Sequence, residues 1–112
     1  MKTRRQKLRN QADRLYQEYV LNNHKKCLLC GNVCEVGHHF IRKANCLATR
    51  YFKLNLIPLC QKCHCLIHTQ PAIPNARILQ IMGDKWFDKL LKKRKEIIRD
   101  NCKFYTDAIN NL

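Results

Sequence analysis

CQKCHCLIH, residues 60–68, sets two kinds of metal-binding spacing side by side. Cys60 and Cys63 are two residues apart, the spacing that lets both sulfurs of a knuckle turn toward one ion. His64 and His68 are four apart, which places both rings on one helix face, where they can chelate a single ion. Cys63 precedes His64 by about 100° of helix rotation, so it points elsewhere. A short helix over Gln61–Thr69 would therefore serve two ions, through Cys60 and Cys63 at its start and through two imidazoles on another face.

Working outward, CLLC at residues 27–30 supplies the partner pair. Cys27, Cys30, Cys60 and Cys63 match the four-thiolate tetrahedral zinc arrangement, and Gly31 suits the tight turn after the first pair. A site closed by four thiolates has no open position for a substrate, so this zinc is structural. Twenty-nine residues separate Cys30 from Cys60. A simple zinc ribbon typically has ~15–20 there. The zinc thus clamps the base of an inserted element. Of the other cysteines, Cys102 falls on a helical apolar stripe and reads as core, and Cys34 and Cys65 lie near enough to the pairs to substitute as ligands.

The inserted element contains EVGHHFIR, residues 35–42, which reads as a strand. Adjacent strand residues face opposite ways, so His38 and His39 have different tasks. His38 is the candidate third ligand with His64 and His68. Three protein ligands with open positions form a site of catalytic type. His39, facing away from the ion, could take a proton from water, since free imidazole titrates near ~6.5. The competing reading is a second closed, structural zinc site. His24 reads as a surface or capping residue.

The chain of 112 residues implies one domain in three zones: a basic helical zone at 1–26, the Cys/His zone at 27–70, and a helical zone at 71–112. Leu8, Ala12, Leu15, Tyr16, Tyr19 and Val20 predict a helix over Arg4–Leu21. Short strands are expected at Glu35–Arg42 and Leu56–Leu59. Beyond Pro71 and Pro74, the stripe of Ile78, Leu79, Ile81 and Met82 ends at Gly83, and Asp84 can cap the next helix. Trp86, Phe87, Leu90, Leu91, Ile97, Ile98, Cys102, Tyr105, Ala108, Ile109 and Leu112 continue at helical spacing. The C-terminal helices could pair two copies of the chain as a homodimer.

Lys and Arg total 22 against 8 Asp and Glu, a formal net charge of +14. That balance favours a polyanionic partner, nucleic acid above all. MKTRRQKLRNQ at the start lacks an apolar h-region, and no run is long enough to span a membrane. The expected location is cytoplasmic and reducing, where cysteines serve as metal ligands or core residues rather than disulfides.

GHHF, Asn55 in KLNLIPLC, and CHCLIH together resemble the HNH nuclease motif, the ββα-metal site. That resemblance implies a small α+β fold whose zinc-stabilised ββα-metal core is flanked by an N-terminal helix and C-terminal helices. It implies that His38, His64 and His68 bind a catalytic divalent ion (Mg²⁺, Mn²⁺, Ni²⁺ or Zn²⁺). It also implies that His39 is the general base and that Asn55 orients it. Three imidazoles favour a transition metal for tight binding. The order of basic helix, CxxCG, GHHFIR, LATRYFKLNLIPLCQKC and RILQIMGDKWFDKLLKKRKEI is similar to the phage NinG recombination proteins. The implied activity is metal-dependent hydrolysis of DNA phosphodiester bonds, giving 3′-OH and 5′-phosphate ends, among recombination or phage DNA-processing proteins. Arg42, Lys43, Arg50 and Lys53 flank the cluster as candidate DNA phosphate contacts. The rival function is a zinc-held DNA-binding module with no catalysis.

Overall fold

The structure, a computed structural model, describes residues 1–112. It is a small α+β fold of six helices around one two-stranded antiparallel sheet. Helix α1, Arg4–Asn23, opens with a capping box. The Gln6 amide donates to the Thr3 hydroxyl at 3.1 Å, and the Thr3 amide donates to the Gln6 side chain at 2.9 Å. Its buried residues, Ala12, Tyr16 and Val20, recur every fourth position and form the stripe that docks on the rest of the chain.

Strand β1, Val36–His39, pairs with β2, Leu56–Leu59. Between them lie helix α2, Leu47–Arg50, and a 3₁₀ turn at Lys53–Asn55. β1 is shorter than the apolar run over Glu35–Arg42 predicts. A two-stranded ribbon leaves both edges unpaired and is marginal alone. Here both edges are closed locally. The Gly37 N–H donates to Gln17 Oε1, and Gln17 Nε2 donates to the Gly37 carbonyl, each at 2.8 Å. The Gln17 amide thus acts as a short third strand. On the far edge, the Pro58 carbonyl accepts from the Leu28 amide at 2.8 Å, and Pro58 has no N–H to satisfy.

Alternation along β2 divides the interior into two cores. Ile57 and Leu59 join Cys27, Cys60, Ile67, Ile78, Trp86 and Leu90. Leu56 faces the other way, with Tyr16, Val20, Cys34 and Ala108. Helix α3, Gln61–Thr69, follows β2 directly, as predicted. Helix α4, Ala72–Met82, takes Pro74 into its first turn, where no intrahelical N–H bond is lost. Helix α5, Asp84–Arg94, begins directly after Gly83, whose φ of 88° ends α4. Asp84 makes no side-chain cap and sits in the first turn, where its charge suits the helix dipole.

The expected continuous helix through Ile97 breaks at residues 95–101, leaving Ile97 97% exposed. Helix α6, Cys102–Asn110, starts afresh because the Asn101 side chain accepts from the Phe104 amide. Cys102, at its first position, is half-buried and belongs to neither core. α6 then packs back on α1, where the Tyr16 hydroxyl donates to the Ala108 carbonyl at 2.7 Å. No helix is long and apolar enough to cross a membrane.

A Cβ on Gly37 would lie 2.8 Å from Val20 Cγ2, closer than side chains tolerate. Gly37→Ala should therefore separate β1 from α1 and cost about 1–3 kcal/mol in a denaturant melt. An unchanged midpoint would show that the Gln17 contact does not hold the strand.

Candidate metal centre

Two groups of ligand atoms converge at α3, one at its start and one on another face. In each group all the ligand atoms lie within 4.8 Å of one another. The first is Cys27, Cys30, Cys60 and Cys63. Gly31, at φ 77°, turns the first knuckle, and its N–H donates to the Cys27 carbonyl. Cys60 caps α3, its sulfur accepting from the Cys63 amide. The Cys30 and Cys60 sulfurs are 3.5 Å apart. Tetrahedral zinc with bonds of ~2.3 Å spaces its sulfurs by about 3.8 Å. This group could hold a structural metal such as zinc.

The thiols also behave as one unit. Burial, and then the neighbouring Cys60, Cys27 and Cys30 thiols, push Cys63 upward. Burial raises Cys27 too, but the backbone N–H groups of Cys60, Cys30 and Leu29 bring it down to about 7. Four adjacent thiolates repel unless a cation sits among them. Cys34 is buried with its sulfur toward the Val36 carbonyl, and Cys65 is exposed, so neither substitutes in the group.

The second group is His38, His64 and His68. The rings of His64 and His68 meet through their Nε2 atoms at 3.0 Å. Two nitrogens bound to one ion at ~2.0–2.1 Å and near a right angle lie ~3 Å apart. The His38 ring stands edge-on to both, with centroids at 5.2 and 6.0 Å. Burial, then the neighbouring His64 and His68, lower His38 to about 4. Burial lowers His64 as well. Neutral imidazoles keep the lone pairs that a cation needs.

His39 takes no part in that group. Its Nε2 lies 3.0 Å from the Arg50 carbonyl. A carbonyl only accepts, so the proton is on Nε2 and Nδ1 carries the lone pair. Burial lowers the His39 pKa, and the Arg50 carbonyl partly opposes the shift. His38, His39, His64, His68, Arg42 and Lys43 share the lining of one open cleft of about 570 Å³.

Three expected site residues sit differently. Asn55 is fully buried and makes no bond to His39. Its Nδ2 donates to the Ile41 and Thr49 carbonyls, and its Oδ1 accepts from the Ile41 amide at 2.7 Å. It therefore staples the loop that connects β1 to α2. Arg50 is no free phosphate contact. Its guanidinium grips Asp13 with two bonds, at 3.0 and 2.6 Å, and little of it is exposed. Lys53 lies outside the cleft, with its ammonium 4.6 Å from the centre of the Tyr19 ring. Arg42 and Lys43 remain exposed at the cleft.

Sequence reasoning missed Gln17, which lines the cleft while holding Gly37, and Asp13, which anchors Arg50 and accepts from the Tyr51 hydroxyl at 2.7 Å. Their only signal is the i, i+4 spacing beside the buried stripe of α1. Comparison with protein-family models, with curated proteins and with solved structures finds no match to this chain.

Two measurements check these arrangements. Cobalt substitution should give the same thiolate-to-metal absorption in the wild type and in His64→Ala, and a weaker, shifted band in Cys30→Ser. His64→Ala should bind a further divalent ion at least ~100-fold more weakly. An absorption band in Cys30→Ser unchanged in intensity and position would contradict the four-sulfur group.

Burial opposes ionisation of Asp13, but hydrogen bonds from Arg50 and Tyr51 hold it below its ordinary value of 3.8. Its contribution to stability is complete above that ordinary value and is lost as pH falls through the lowered one. Asp13→Asn should cost about 2–4 kcal/mol near neutrality and remove that acid-side loss in a pH series of melts.

Proposed function

We propose that this protein is a metal-dependent DNA endonuclease with a zinc-stabilised ββα-metal core of the HNH type. The observation that carries this reading is the divergence of the adjacent histidines. His38 meets His64 and His68, whereas His39 is tied through Nε2 to a main-chain carbonyl, with Nδ1 left as the basic nitrogen of a cleft-lining ring. A purely structural site has no use for a half-buried, oriented imidazole beside a ligand. The β1–β2–α3 order and the sulfur group at the root of α3 fit the HNH resemblance. The recombination or phage DNA-processing setting rests on sequence resemblance alone.

The residues divide the work as follows. His39 Nδ1 accepts a proton from a water in the cleft as that water attacks phosphorus in line with the 3′ oxygen. The P–O3′ bond breaks, and the leaving oxygen takes a proton from solvent, giving 3′-OH and 5′-phosphate ends. A divalent ion on His38, His64 and His68 would neutralise charge developing on the phosphate and the leaving oxygen. Arg42 and Lys43 draw the backbone to the cleft. Asn55 acts as a positioning residue, fixing through Thr49 the end of α2, where the Arg50 carbonyl holds His39.

Incubation of supercoiled plasmid with Mg²⁺, Mn²⁺ or Ni²⁺ tests the reading. His39→Ala should keep its divalent ion and lose about 10²–10⁴-fold in cleavage rate. His38→Ala should lose the ion as well. A wild type that binds DNA in a salt-sensitive way but cuts with no metal would be the zinc-held binding module instead.

A further inference from the structure

A second hollow, of about 400 Å³, opens where α6 crosses the segment leading from α2 to β2. Its size falls within the ~300–1,000 Å³ of small-ligand sites. It shares no residue with the histidine cleft. Its walls are aromatic: Tyr16, Tyr51, Phe52 and Phe104. The Tyr16 and Tyr51 rings are 4.9 Å apart, and Tyr51 and Phe104 are 5.6 Å apart. Both tyrosine hydroxyls are already committed, to the Ala108 carbonyl and to Asp13. These walls therefore offer fixed ring surfaces.

Charge at the hollow is net positive through Lys53. Lys53 and Lys93 line it, held over the Tyr19 and Phe52 rings respectively; Lys93 also pairs with Glu96 at 2.9 Å, whereas Lys53 has no acidic partner. The acidic Asp107 is neutralised by Lys103 at 2.7 Å. Asn111 supplies a hydrogen-bonding group. Flat aromatic walls beneath a cationic rim suit a ligand with a flat ring and an attached anion. In a chain of net charge +14 the ligand that meets both requirements is a nucleotide.

We propose that this hollow binds one unstacked nucleotide of single-stranded DNA, the base against Tyr51 and Phe104 and the phosphates at Lys53 and Lys93. The proposal deepens the nuclease reading and rests on it, since it makes DNA with unpaired nucleotides the preferred substrate. The two sites are joined physically. The Arg50 carbonyl holds His39 on one side of the segment, and Tyr51 and Phe52 wall the hollow on the other. A base seated in the hollow would bear on the segment that orients the proposed catalytic base.

The test is photocrosslinking of the full chain, without added divalent metal, to iodouracil-substituted oligothymidylate, with crosslinked residues located by mass spectrometry. Crosslinks at Tyr51, Phe52 or Phe104 are expected. In parallel, anisotropy titrations with oligothymidylate and with a duplex of equal length compare wild type, Phe104→Leu and the surface pair Lys53→Gln/Lys93→Gln. Phe104→Leu should lower the ratio of single-strand to duplex affinity by about 10-fold. The lysine pair, which disturbs no core, should lower the same ratio. Crosslinks confined to the histidine cleft, or an unchanged ratio in both variants, would overturn the hollow as a site while leaving the nuclease reading intact. Failure to bind either DNA would overturn both. DNA binding with pocket crosslinks but no plasmid cleavage would sink the nuclease reading alone.

Discussion

Four cysteine sulfurs brought to one place at the root of α3 are the constraint on which the rest of the structure depends. The sheet has two strands, and the two cores behind it contain eight and five buried residues. Burial on that scale leaves a small domain marginal. Cys27 and Cys60 are themselves members of the larger core, so a metal there would join the hydrophobic contacts rather than replace them. The two knuckles also fix the ends of the 31–59 excursion. His38, His39, Arg42 and Lys43 then have to be positioned within that closed loop, facing His64 and His68 on α3.

Inside the loop, neutral hydrogen bonds to the main chain do most of the positioning. Gln17 completes the edge of β1, Asn55 closes the turn after it, and the Arg50 carbonyl accepts a hydrogen bond from His39 Nε2. The least exposed ion pair, Arg50 with Asp13, lies just behind this arrangement and links α2 to α1. It turns a residue that looked like a DNA contact into part of the frame. Positive charge is then left to exposed side chains such as Arg42 and Lys43, which can meet phosphate without loss of a structural partner.

What was legible in the sequence follows from the range of each signal. α1, α3 and α4 are written in local periodicity, and the sulfur and histidine groups in short spacings, so both could be found without coordinates. The break at 95–101 was not legible, because Ile97 and Ile98 continue the apolar stripe while the Asn101 cap restarts the helix only at Cys102. Asn55, Arg50 and Lys53 were placed near the cleft by their position in the chain. The Asn55 side chain is instead taken by Ile41 and Thr49 and that of Arg50 by Asp13, while Lys53 turns away from the cleft to lie over the Tyr19 ring. Pairings between residues tens of positions apart leave no period in the sequence to read.

The bond that orients His39 ends on a peptide oxygen, and this affects how the site can change. No side-chain replacement at position 50 removes that oxygen. A residue-by-residue alanine survey would therefore pass over the acceptor entirely and report only the loss of the Asp13 pair. In the course of sequence drift, position 50 could exchange its side chain and the ring would keep its proton donor on the same side. A drift in the backbone of 49–52 would not be tolerated in the same way. The orientation of His39 is thus more exposed to insertions and deletions in that short segment than to most substitutions within it.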